Sequence, residues 1–169
     1  NDLEGVNLPI GPFTWMDVQA KEKPQSVSKF FNDGYSMREP VPQTVPRGFM
    51  PYKYSGDPAG AEANLVNPVA ITKEFLAEGR EKYNTYCSMC HGYFGDGNVR
   101  LRTDKFAPPS LHSEKLKNAG DGLIYHVITE GQNTMPGYAK QISREDRWKI
   151  VHYIRTLQRA KDAKESDLK

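Results

Sequence analysis

Only two cysteines occur in the chain, Cys87 and Cys90, and no second close pair accompanies them. A structural zinc site wants four ligands, with a second pair at short spacing. The remaining histidines beyond that neighbourhood, His112, His126 and His152, stand alone and far apart. A thioredoxin-like dithiol would want a βαβ pattern around it, and none is legible. Charge of one sign is also missing. The net charge of +2 carries no nucleic-acid signal, and it splits weakly, into −2 over residues 1–70 and +4 over residues 71–169. No run of about 18 apolar residues is present, so nothing in the sequence reads as a membrane-spanning helix. Hydrophobic content is low, 37% of 169 residues, for a length at which one compact domain is expected. The first residue is Asn1 rather than methionine. A removed targeting segment is the expectation, and a lipidated cysteine just before Asn1 stays open.

What is present is a motif. Cys87-Ser88-Met89-Cys90-His91 reads C-x-x-C-H, the pattern of c-type haem attachment. Thiols three residues apart sit on one side of a helical turn and reach the two vinyl groups of one porphyrin. The next residue, His91, is then held where its imidazole can ligate iron. One covalent haem c is therefore expected, and its ring would fill a core that the side chains alone cannot.

The chain divides near residue 70. Residues 1–70 hold nine of the twelve prolines. Proline cannot donate to a ladder or continue a helix, and no helical or strand period survives there. Composition leaves a disordered arm open, but disordered segments are usually poor in aromatics. This one contains Phe13, Trp15, Phe30, Phe31, Phe49 and Tyr52. A long extended arm that is ordered needs a surface, and a domain of some 90 residues offers little. Docking on a partner protein is expected.

Residues 71–160 read as all-α. Thr72 is suited to N-cap a helix that runs into the haem motif, with Phe75, Leu76, Gly79 and Tyr83 along one face. Asp121 to Glu130 reads as a second helix, with Leu123, Ile124, Val127 and Ile128 inward and Gly131 as its stop. Ser143-Arg144-Glu145-Asp146 resembles a capping box ahead of an amphipathic stripe of Trp148, Ile150, Val151, Ile154 and Leu157. Residues 161–169 read as a charged tail that frays.

The domain resembles class I cytochromes c. Gly79 and Tyr83 look like that family's glycine–aromatic pair on the first helix, and Ile150 and Tyr153 like their partners on the last. Two crossing backbones approach closely only where no Cβ intervenes. Pro108, in Ala107-Pro108-Pro109-Ser110, resembles the family's proline whose carbonyl accepts the ligand histidine's Nδ1–H, with Pro109 an equal candidate. That bond would orient the ring and raise its basicity. Met135, in Gly131-Gln132-Asn133-Thr134-Met135-Pro136-Gly137, resembles the distal methionine that supplies the sixth ligand. A core-filling methionine is the plain alternative, and His112 and His126 are rival ligands. Methionine–histidine ligation raises the potential and leaves no open site for substrate. The resemblance thus implies an electron carrier, not an enzyme by itself.

A closer resemblance spans most of the chain. Asp33-Gly34-Tyr35-Ser36-Met37-Arg38-Glu39-Pro40-Val41-Pro42, Gly79-Arg80-Glu81-Lys82-Tyr83 and Asp146-Arg147-Trp148-Lys149-Ile150-Val151-His152-Tyr153 look like the monohaem cytochrome c subunit of bacterial alternative complex III. That resemblance implies a place on the periplasmic side of the inner membrane. There the chain would be bound through residues 1–70 to other subunits of a quinol-oxidising respiratory complex and exchange electrons with donor and acceptor cytochromes or an oxidase. A free periplasmic shuttle is the alternative, and a peroxidase-type haem enzyme a more distant one.

Overall fold

The computed structural model describes residues 21–45, 47–100, 102–103 and 106–164. Contacts divide the chain into two units, Asn1–Met50 and Pro51–Lys169.

The described part of the first unit is a run of turns tied by side-chain-to-backbone bonds. Ser28 Oγ accepts from the amides of Phe30 and Phe31 and donates to Glu22, and Val27 bridges antiparallel to Tyr35. Arg38 pairs with Asp33 and lies 4.5 Å from the Phe31 ring centre. The described residues of this segment turn back on themselves, where an extended arm was expected. Phe30 stays 80% exposed. Trp15 and Phe13 lie outside the described residues.

The second unit is built of helices. Helix α1 is Pro58–Asn64, α2 Lys73–Tyr86, α3 Ser88–His91, α4 Glu114–Asn118, α5 Asp121–Glu130 and α6 Arg144–Lys161. Two short strands, β1 Gly131–Gln132 and β2 Met135–Pro136, pair antiparallel between α5 and α6. The three expected caps form. Thr72 Oγ1 accepts from Phe75 N and Ser143 Oγ from Asp146 N, while α5 ends on Gly131 in the left-handed region at φ +86°.

The core sits where α2 crosses α6. Tyr83, Ile150 and Val151 are fully buried there. A Cβ on Gly79 would lie 2.3 Å from Lys149 O, so only glycine lets the two backbones come this close. Lys149 adds an ion pair from α6 to Glu78 of α2 at 2.6 Å. The Tyr125 and Trp148 rings stack 4.0 Å apart, joining α5 to α6.

The boundary between the units falls after Met50, not near residue 70. Asp57 caps α1 by accepting from Gly60 N, and Pro58 occupies the first turn, where its missing N–H costs nothing. Ala61 is fully buried, and Gly122 of α5 approaches Ala61 O so closely that a Cβ would sit 2.2 Å away. Tyr52 bonds His126 Nδ1 at 3.1 Å, Asn67 donates to Trp148 O, and His152 Nε2 donates to Val69 O at 2.7 Å. Residues 51–70 are therefore part of the helical unit. Tyr52, expected as an anchor for a partner, spends its ring on the chain's own Tyr125 and His126.

Candidate functional site

The attachment motif is positioned by α2. Cys87 closes that helix, its amide bonded to Tyr83 O at 2.8 Å. The chain then makes one further turn, α3, with Cys90 N and His91 N both donating to Cys87 O. The Tyr83 hydroxyl, fully buried, donates to Gly92 O at 2.8 Å and pins the backbone just after His91. Burial pushes that phenol well above its ordinary pKa. Both cysteines are free and half-buried. Burial, and then the nearby Cys90, push the Cys87 thiol up to about 12. Left to itself it is an inert thiol, not a reactive thiolate.

His91 is held by the loop that follows. Its Nδ1 lies 3.3 Å from Pro109 O. A carbonyl can only accept, so Nδ1 carries the proton and Nε2 keeps its lone pair. The acceptor is Pro109 and not Pro108; the buried Pro108 carbonyl points instead toward Gly97 and the Arg102 guanidinium. Desolvation lowers the His91 pKa, with the Pro109 bond opposing it, and a neutral imidazole is what a metal needs. Around it, Gly97 N donates to His91 O at 2.9 Å and Leu111 N to Gly95 O at 2.7 Å. A Cβ on Gly97 would sit 2.7 Å from Pro108 O, so glycine lets the proline segment fold back over the motif.

The segment carrying Met135 continues to Tyr138, whose ring centre lies 6.3 Å from that of Tyr86, the residue before the motif. Met135, half-buried, pairs with Gln132 across a two-residue turn whose Asn133 adopts φ +53°. Three residues on, Tyr138 N bonds Ile128 O at 2.9 Å. The Tyr138 phenol is raised by burial and further by Cys87 and Cys90, which lie close enough for their charge to be felt. The other histidines are spent elsewhere. His112 Nε2 donates to Phe94 O at 2.7 Å, while His126 and His152 tie residues 51–70 down as described above.

Residues 74–154 match the family described as cytochrome C oxidase, cbb3-type, subunit III. Over that stretch the helical unit is similar to c-type cytochromes.

The domain is 25% identical over 79 residues to cytochrome c6 of Gracilaria tenuistipitata var. liui, a stretch that covers 47% of this chain and 69% of that protein. Among solved structures it is similar to the reducing HAO-like protein complex of Kuenenia stuttgartiensis (TM-score 0.45, 26% identity, 55% of this chain and 49% of that one). It is also similar to cytochrome cL from Hyphomicrobium denitrificans (TM-score 0.42, 25% identity, 55% and 56%). The chain spans about half the length of these two structures.

Covalent haem c is the group that the C-x-x-C-H motif implies. The donor set here fits that group: two free thiols one turn apart, an imidazole whose Nδ1 is already tied to a carbonyl, and a half-buried thioether on a two-stranded hairpin. Sequence reasoning missed the roles of Tyr83 and Tyr138 at the motif. An aromatic four residues before the first cysteine was visible, but its hydroxyl's destination at Gly92 O is a tertiary fact. Pro108 and Pro109 were indistinguishable because two adjacent prolines differ only in which way their carbonyls turn.

Proposed function

We propose that this chain is a monohaem c-type cytochrome. In this reading Cys87 and Cys90 hold the haem, and His91 and Met135 ligate its iron. Bound haem c supplies reversible one-electron chemistry. The chain's own residues orient it: Pro109 O fixes the His91 ring, Tyr83 pins the turn after it, and the hairpin aims Met135. The observation that carries the reading is the His91 Nδ1 bond to Pro109 O beside two free cysteines. A ligand histidine is characteristically oriented by such a bond.

In the finer reading the cytochrome works as a subunit of a membrane quinol-oxidising complex resembling alternative complex III. It sits on the periplasmic side of a bacterial inner membrane and passes electrons toward a terminal oxidase. Residues 1–50 are the docking element. Their described part presents Phe30, Met37, Val41, Phe49 and Met50 to solvent, and exposed aromatic and apolar anchors of this kind commonly supply binding energy at protein contacts. The test is deletion of residues 1–50 in the host. The haem-stained band should leave the membrane complex, and quinol-linked electron flow should slow. If the truncated cytochrome still co-purifies stoichiometrically, the arm is not the dock. If the full-length protein never co-purifies with a membrane complex, it is a free shuttle.

A further inference from the structure

We propose that Arg102 is a positioning residue for the His91 imidazole: by holding the carbonyls of Gly97 and Pro108 it aims the next carbonyl, Pro109 O, at His91 Nδ1. The inference rests on the reading of His91 as the haem ligand.

The segment Pro108-Pro109 has no backbone N–H at either residue. It cannot anchor itself by donating, so donors from elsewhere must set which way its carbonyls face. Arg102 Nη1 is such a donor, 3.4 Å from Pro108 O and 3.1 Å from Gly97 O. Pro108 precedes a proline and is thereby restricted to extended backbone, in which successive carbonyls turn to different sides. Holding Pro108 O against Arg102 therefore leaves Pro109 O to face His91, where it lies 3.3 Å from Nδ1. Gly97 is the shared link, because its amide donates to His91 O while its carbonyl accepts from Arg102. Arg102 is itself held. Its amide donates to Val99 O at 3.0 Å, and Thr103 and Phe106 exchange backbone bonds at 2.8 and 3.1 Å just beyond it.

A role through the carbonyl and a role through charge alone push the potential in opposite directions. Weakening the Nδ1–H bond makes the imidazole a poorer donor to ferric iron, and the potential rises. Removing a nearby positive charge favours the ferric form, and the potential falls. The experiment uses full-length holoprotein of the wild type, Arg102→Met and Arg102→Lys. It reads the solvent exchange of the His91 Nδ1–H by NMR in the reduced state, and the midpoint potential by titration. The wild type must first show covalent haem and a resonance for that proton; if it does not, the ligand assignment of His91 fails before Arg102 is tested. Given both, Arg102→Met should speed exchange by about tenfold, the scale of one lost net hydrogen bond, and raise the potential. Arg102→Lys, which restores a charged donor, should recover most of the protection. Unchanged exchange in Arg102→Met would overturn the proposal and leave Arg102 as a surface charge. Arg102→Gln is read the same way should the methionine variant give no holoprotein.

Discussion

Adding a single methyl group at Gly79 tests the helix crossing on which the whole domain is built. The Cβ of Gly79→Ala would lie 2.3 Å from Lys149 O and 2.8 Å from Lys149 C. Both atoms are backbone, so no side-chain rotation relieves the contact. Restoring an ordinary separation moves α2 and α6 apart by roughly 1 Å, a gap that forfeits a quarter to a half of each dispersion contact across it. The loss falls on Tyr83, Ile150 and Val151, which are fully buried at that crossing. Overpacking of this kind costs about 1–3 kcal/mol. Alanine's better helix propensity returns about 1 kcal/mol, so destabilisation wins. A net loss near the upper end of that range, about 2 kcal/mol, lowers Tm by roughly 5–10 °C for a domain of this size. Circular dichroism melts of the holoprotein measure it. An unchanged or higher Tm would refute the reasoning and move the crossing away from Gly79.

Deleting residues 1–50 should leave the helical unit folded, with the spectrum of the full-length holoprotein unchanged. Deleting residues 1–70 should lower its Tm, because Ala61, Leu65, Val69 and the Tyr52–His126 bond go with it; equal melting points would place 51–70 outside the domain. Met135→Ala should abolish the weak near-infrared thioether–iron band of the oxidised protein and let exogenous imidazole bind. A retained band would show that Met135 is not the ligand. Stability should fall in alkali. Burial, then Tyr125 and Glu130, raise Tyr52 to about 12, and burial also raises Tyr83 and Tyr138. A phenol whose pKa is raised by folding contributes stability that is complete below its unfolded value near 10 and is lost as pH rises through the folded value. Denaturant melts between about pH 9 and 12 should show that decline, and a flat profile would contradict it.

The sequence by itself determined the C-x-x-C-H donor set and the helices that frame it. C-x-x-C-H specifies its ligand spacing within one helical turn, and Thr72, Ser143 and Gly131 mark helix ends through hydrogen bonds and backbone conformations set within a few residues. Such information is local, so it is legible without a fold. The tertiary structure decided what depends on distant residues meeting. It chose Pro109 over Pro108, because a carbonyl's direction depends on donors across the loop. It drew residues 51–70 into the helical unit, because proline content says nothing about which surface a segment covers. It also set Tyr138 beside Tyr86 and the Tyr83 hydroxyl against Gly92 O. The hydroxyls of these tyrosines and the carbonyl of Pro109 have no periodicity to announce them. Their partners lie where chain segments far apart in sequence are packed together, and only the packing shows which polar group must be satisfied there.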